Sequence, residues 1–167
     1  MHPAQLPLED LLAQCEVTRT RRSGPGGQHR NKTETAIVLV HRPTQVHAEA
    51  SERRSQAENH RMALQRLRVK LALESRSPAE ELATDPSPLW ESRLKGQRIV
   101  CSAEHEDYPA LLAEACDVLA SVAFDMPQAA EQLGCTGSQL AKLFAAEPNA
   151  LVWLNRQRIE RNLRPLK

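Results

Sequence analysis

Aromatic residues make up only 3% of this 167-residue chain, and all five (Trp90, Tyr108, Phe124, Phe144 and Trp153) lie in its second half. The first half therefore has no aromatic platform on which nucleic-acid bases could stack. Cysteine is sparse: Cys15, Cys101, Cys116 and Cys135 stand far apart with no Cys-x-x-Cys, so neither a disulfide framework nor a zinc site is indicated. No stretch approaches the roughly 18 uncharged apolar residues of a membrane span. The start, Met1 to Asp10, lacks the basic cap and apolar core of a signal peptide. These absences predict a soluble, cytoplasmic protein with no membrane partner. Glycine is also rare, six in all, yet three of the six fall within residues 24–27. Glycine loses the most backbone entropy on ordering, so such a cluster is costly for a mere surface turn.

A strong charge of either sign is missing as well, since 22 Lys/Arg against 21 Asp/Glu leave a net +1. That near-zero value is a sum of unlike parts. Residues 1–75 carry +4, residues 76–125 carry −6 and residues 126–167 carry +3. Within 18–70 there are 12 basic residues against 4 acidic ones. Asymmetry of this kind points to an anionic partner for one part of the chain, met through charge and backbone rather than base stacking.

Local patterns divide the chain into three parts. Leu6 to Leu12 reads as a short helical turn with Pro7 suited to its start. Cys15–Arg21, Thr35–His41 and Gln45–Ala50 alternate as strands, the last two forming a hairpin broken at Arg42-Pro43-Thr44, with Val46, Ala48 and Ala50 on one face. Ser51 can cap a long helix to about Ser75, with Ala57, Leu64, Leu67 and Leu71 on one face and Arg54, Arg61 and Arg68 on another. The arginine stripe fits a solvated face and an RNA-phosphate contact equally well. Residues 76–103, with Pro78, Pro86 and Pro88, read as a linker with one short element near Trp90–Leu94. From Tyr108 onwards the spacing is helical, with starts near Asp125-Pro127, Thr136 or Ser138, and Pro148, and a stop at Gly134. The expected fold class is α+β: residues 1–75 hold a small mixed β-sheet with a glycine loop and a long C-terminal helix. After the 76–103 linker, residues 104–167 form a small all-helical, helix-turn-helix-like domain.

The string Gly24-Pro25-Gly26-Gly27-Gln28-His29-Arg30-Asn31-Lys32-Thr33 carries the functional decision. A phosphate-binding P-loop fits poorly, because Asn31 stands where its second glycine belongs and no magnesium-holding aspartate follows an apolar run. Taken with Ile-Val-Leu-Val-His-Arg-Pro-Thr (37–44) and Glu-Arg-Arg-Ser-Gln-Ala-Glu-Asn (52–59), the string resembles the catalytic domain of class I peptide chain release factors. Four motifs occur in order over roughly residues 6–75: a Gly-Gly-Gln loop, Asn-Lys, a His-x-Pro-Thr hairpin, and Arg-Ser-Gln-x-x-Asn opening a long helix. The Gly-Pro-Gly-Gly-Gln form preceded by Leu-Pro-Leu-Glu-Asp-Leu looks most like the short, codon-independent ribosome-rescue members.

That resemblance implies ribosome-dependent hydrolysis of the peptidyl-tRNA ester, with ribosomal RNA and peptidyl-tRNA as partners, no DNA, and no metal or organic cofactor. Gly26, Gly27 and Gln28 would be catalytic. The glycines permit close approach of the main chain, and the Gln28 N–H can stabilise charge developing at the ester. The neutral Gln28 side chain would position water rather than act as a base. Arg21, Arg22, Arg30, Lys32, Arg53 and Arg54 would contact RNA phosphates. Two departures stand out: Arg30 occupies a position where the family usually has a small apolar residue, and Gln45 replaces the glycine after Pro-Thr. The second implies a turn of different geometry.

A release factor's codon-reading domain is not expected in the remaining residues. The stretch 129–140 resembles a helix-turn-helix, but Ser138, Gln139 and Lys142 are its sole polar readers, which is thin for sequence-specific DNA binding. A ribosome-docking or protein-interaction bundle fits better, with Trp90 and Trp153 in the core. Arg156, Arg158, Arg161, Arg164 and Lys167 against Glu160 leave both an RNA-contacting tail and a solvated final helix open. Two rivals to the hydrolase remain: a non-catalytic ribosome- or RNA-binding factor, and a helix-turn-helix DNA-binding regulator.

Overall fold

In a computed structural model, residues 1–20, 35–82 and 85–166 are described. A single turn at Pro3–Gln5 leads into α1 (Leu8–Ala13), then β1 (Cys15–Thr20), β2 (Ala36–His41) and β3 (His47–Ala50). The long α2 (Gln56–Glu74) follows, then α3 (Pro88–Ser92) and a small hairpin of β4 (Leu94–Lys95) and β5 (Arg98–Ile99). Four helices complete the chain: α4 (Tyr108–Ser121), α5 (Met126–Gln132), α6 (Gly137–Ala145) and α7 (Pro148–Ile159).

The first sheet has the order β1-β2-β3 with both pairings antiparallel, Thr20 opposite Ala36 and Leu39 opposite Ala48. This corrects the mixed sheet expected above. Consecutive strands are neighbours in the sheet, and among the described residues no two of them pair in parallel. Ile37, Leu39, Ala48 and Ala50 are buried, and α2 packs against β2 and β3. Its Ala63, Leu64, Leu67 and Leu71 join the same core.

Helix α2 departs from expectation at its start. The cap is Ser55, whose Oγ accepts from the Glu58 N–H at 3.3 Å, and not Ser51. Ser-x-x-Glu at 55–58 is the sequence signature of a helix start, and it outcompetes Ser51, which has Arg54 three residues on. The shift leaves Ala57 exposed, outside the apolar face assigned to it. The arginine stripe also dissolves. Arg54 precedes the helix and Arg61 is exposed, but Arg68 is partly buried, donating to the Glu106 and Ala4 carbonyls at 2.6 and 3.0 Å. Arg68 is a packing residue and not a phosphate contact.

The described residues of 76–103 hold α3 and the β4–β5 hairpin. Trp90 on α3 is buried, and its indole N–H donates to the Leu133 carbonyl at 2.7 Å. Helix α4 is buried nearly all round and packs directly on α2. Tyr108 is sunk in the core with its hydroxyl donating to the Leu143 carbonyl at 2.8 Å. Asp125 and Thr136 cap α5 and α6 through their side chains, and Gly134, at φ 64°, ends the turn after α5. Trp153 stacks on Phe144 with centroids 6.3 Å apart, and the Arg76 guanidinium lies 4.7 Å over its ring. Residues of the sheet, α2, α4, α6 and α7 form one hydrophobic cluster. Cys116 and Cys135 are buried thiols, pushed up to about 12 and about 11 by desolvation. Among the described residues, no helix is long and apolar enough to cross a membrane, and no His/Cys/Asp/Glu group could hold a metal ion.

Two buried histidines are fixed as neutral rings. His2 Nδ1 accepts from the Ala4 N–H at 3.0 Å while Nε2 faces the Ser75 carbonyl at 3.2 Å. His41 meets Gln14 Oε1 at 3.0 Å and the Thr44 hydroxyl at 2.7 Å. Burial holds both rings below the ordinary histidine value, for His2 against the opposing pull of the Ser75 carbonyl and Asp117. In the unfolded chain both protonate near pH ~6.5. Between that value and the lower folded values the unfolded chain holds more protons, so stability rises with pH there. The stabilising contribution is complete above pH ~6.5 and is lost as pH falls through the folded values. Thermal unfolding is expected to show a lower midpoint at pH 5 than at pH 7.5, with a smaller drop in a His41→Gln variant.

Candidate functional site

The site is defined by what surrounds residues 21–34, which lie outside the described residues. Gly26, Gly27, Gln28, Arg21, Arg22, Arg30 and Lys32 all fall there. The structure does describe where that segment leaves and returns. Thr20 and Ala36 are register partners at the open end of the β1–β2 ladder, so the two roots are held side by side.

Asn59, in the first turn of α2, grips the returning root. It is completely buried, and its Nδ2 donates to the Thr35 carbonyl at 2.7 Å and to the Arg53 carbonyl at 2.9 Å. Its Oδ1 accepts from the Arg53 N–H at 2.9 Å. One side chain thus satisfies three backbone groups and ties the loop root to the bend at 52–54. That bend carries Arg53 and Arg54, both exposed. The structure therefore places two of the expected RNA-contacting cations beside the root of the glycine loop. A salt bridge from Glu52 to Arg66 at 2.7 Å, together with Arg66 donating to the Glu49 carbonyl at 2.8 Å, braces the same bend against α2.

The His-x-Pro-Thr hairpin has a second structural task. Besides the His41 contacts, the Arg42 side chain donates to the Ala13 and Gln14 carbonyls, and the Arg42 N–H donates to Gln14 at 3.0 Å. The C-terminal end of α1 is thereby clipped to the β2–β3 turn. Gln45, the residue that replaces the glycine after Pro-Thr, sits at φ 60°, the left-handed region glycine adopts most readily, and its Nε2 donates to the Arg42 carbonyl at 2.7 Å. A left-handed backbone carries some cost for a residue with a side chain. A Gln45→Gly variant is expected to fold identically and gain up to about 1 kcal/mol in urea unfolding, as relief of left-handed strain outweighs an exposed hydrogen bond.

The basic C-terminal end does not hang loose over the residues described. Arg158 donates to the Phe124 carbonyl at 2.8 Å and the Arg164 carbonyl at 2.9 Å, and Arg161 lies 4.3 Å over the Phe124 ring. Asn155 clasps Leu166 through both its amide atoms, at 2.7 and 3.1 Å. Arg156 pairs with Glu160 one helical turn away. Over these residues the basic end folds back onto the helices; Lys167 lies outside them.

Sequence reasoning quoted Asn59 inside a motif without giving it a role, and missed Gln14 altogether. Asn59 was legible as a buried amide opening a helix, whereas Gln14 carries no local signal because its partner is 27 residues away.

Known proteins resemble this sequence. A family model described as the RF-1 domain covers residues 10–98, a little more than half of the chain. The chain belongs to the RF-1 domain family. Peptide chain release factor 1 of Delftia acidovorans is 44% identical over 68 residues, covering 41% of this chain and 19% of that protein. The chloroplastic peptide chain release factor PrfB1 of Arabidopsis thaliana is 45% identical over 67 residues, 40% of this chain and 14% of the relative. The mitochondrial peptide chain release factor 1-like protein of Rattus norvegicus is 36% identical over 69 residues, 41% and 18% respectively. The chain thus spans less than a fifth of the length of these relatives. The RF-1 match reaches past α2 to Arg98, so the Trp90 helix and all of the small hairpin but Ile99 lie within it.

Proposed function

We propose that this chain promotes ribosome-dependent hydrolysis of the ester in peptidyl-tRNA, through Gly26-Gly27-Gln28 and independently of the A-site codon. The observation that carries the reading is the RF-1 domain match across the glycine loop, combined with the Asn59 grip on the loop root. Relatives named as peptide chain release factors support the release chemistry. The likeness of Leu-Pro-Leu-Glu-Asp-Leu and Gly-Pro-Gly-Gly-Gln to the short rescue members supports codon independence.

In this reading residues 1–75 form the catalytic unit, and 104–167 form its helical companion, joined through 76–103. The loop supplies a backbone N–H at Gln28 for the developing oxyanion, and glycines let that N–H approach the ester closely. The Gln28 amide orients the attacking water, while Arg53 and Arg54, with Arg21, Arg22, Arg30 and Lys32, neutralise RNA phosphates around the loop. The ester bond to the tRNA breaks, water adds to the carbonyl carbon, and the tRNA hydroxyl takes a proton. No metal or organic cofactor enters the scheme.

Peptide release from ribosomes holding labelled peptidyl-tRNA tests it, with the A site empty, bearing a sense codon or bearing a stop codon. Release that does not depend on the codon is the expected result. Release at stop codons alone would sink the codon-independent part, and no release in any state would sink the hydrolase.

A further inference from the structure

A second basic surface lies away from the glycine loop, in a groove between the β4–β5 hairpin and α6. Arg98, Ile99, Cys101, Gln139, Lys142 and Leu143 line a cavity of about 440 Å³. Lys95 is the cross-strand partner of Arg98, which puts both cations on the same face of the hairpin. Gly96, at φ 59°, lets the chain reverse between them. Lys95, Gln97, Arg98 and Lys142 are all exposed. Among the described residues, none of the three cations forms an ion pair, and no carboxylate lines the cavity. This is unexpected in a stretch that is otherwise acidic. A second cavity, about 170 Å³, gathers Glu81, Asp85, Glu114 and Asp117, so the two signs are sorted onto separate surfaces.

We propose that the groove between the β4–β5 hairpin and α6 binds the phosphodiester backbone of RNA through Lys95, Arg98 and Lys142, with Gln139 as a neutral donor. On α6 alone, Ser138, Gln139 and Lys142 are too few polar groups to hold a nucleic acid. The hairpin doubles the polar contribution from outside the motif. A protein partner is disfavoured because the groove contains no aromatic or methionine anchor of the kind that dominates protein interfaces. Base reading is disfavoured for a similar reason: no ring is present to stack on a base, and no arginine lies on α6 to reach into a DNA major groove. Three unneutralised cations around an open groove suit a ladder of phosphates. The assignment stands independently of whether the glycine loop hydrolyses anything.

Cys101 lines the groove and is half-buried, which makes it a local reporter. The full chain is treated with iodoacetamide alone and with a 20-base-pair RNA duplex, the matching DNA duplex, or poly-glutamate, and alkylation of Cys101 is followed by mass spectrometry. RNA is expected to slow alkylation of Cys101 in the wild type but not in a Lys95→Gln/Arg98→Gln/Lys142→Gln variant. The variant's slope of log affinity for RNA against log salt is expected to be shallower by about 2, three phosphates at roughly 0.7–0.9 each. Identical salt slopes, or unprotected Cys101 in the wild type, would overturn the proposal. Stronger protection by poly-glutamate would reassign the groove to an acidic protein, and stronger protection by the DNA duplex would reassign it to DNA. The wild-type protection experiment needs no variant, so a misfolded triple substitution would not obscure the answer.

Discussion

Replacing Gly27 with alanine is expected to lower the rate of peptide release by about 10²–10³-fold, the usual cost of losing one oxyanion donor. On the proposed mechanism, a methyl group at position 27 would hinder close approach of the following peptide unit and keep the Gln28 N–H from the developing charge. The comparison that matters is with Gln28→Ala and Gln28→Pro. Alanine at 28 keeps the backbone N–H and loses only the amide that orders water, so its defect should be the smaller one. Proline removes the N–H and should reproduce the Gly27→Ala loss in full. The reverse order would show that the side chain, and not the backbone donor, carries the chemistry. Thermal midpoints should move little in all three if the loss lies in the chemistry rather than in folding.

Asn59→Ala is expected to cost about 3 kcal/mol of folding stability, far more than the loss of one polar side chain ordinarily would. The substitution strands the Thr35 and Arg53 carbonyls and the Arg53 N–H together, and an unsatisfied buried polar group costs about 1–3 kcal/mol. Partial access of water to the bend keeps the total below the sum. Asn59→Asp is the informative companion. It preserves size and the acceptor for Arg53 N–H, but turns a carboxylate oxygen toward two carbonyl oxygens. Its loss in urea unfolding should therefore be as large as that of alanine. Both variants should also depress peptide release although no loop residue has changed, since the returning root at Thr35 is no longer fixed. A stability loss below about 1 kcal/mol for both would show that the bend finds other partners.

What the sequence disclosed was set by how local each signal is. The β2 run, the breaks at Gly134 and Pro148, and the hairpin face of Val46, Ala48 and Ala50 depend on neighbours a few residues apart, and they appear in the structure as expected. Ser51 and Ser55 competed for one helix start, and Glu58 decided it through the spacing alone. Arg68 could not be read this way, because its seven-residue spacing from Arg61 matches a surface stripe while its partners, Ala4 and Glu106, lie 64 and 38 residues distant. The same distance hid the folding back of the C-terminal arginines onto Phe124. At the candidate site, glycine content and charge suggest the proposed chemistry from the sequence, whereas the support could not be read there, since Asn59 acts on Thr35 from 24 residues away.

Helix α2 gives the molecule a length scale. Asn59 fixes the loop root at one end, and at the other Arg76 donates to the Ala72 and Leu73 carbonyls while lying over Trp153 of α7. With 19 residues at 1.5 Å each, the helix spans about 28 Å. It carries neither glycine nor proline along that length, so nothing in its sequence invites a bend. The protein is in this respect a caliper, holding the loop root and the Trp153 end of the fold a set distance apart.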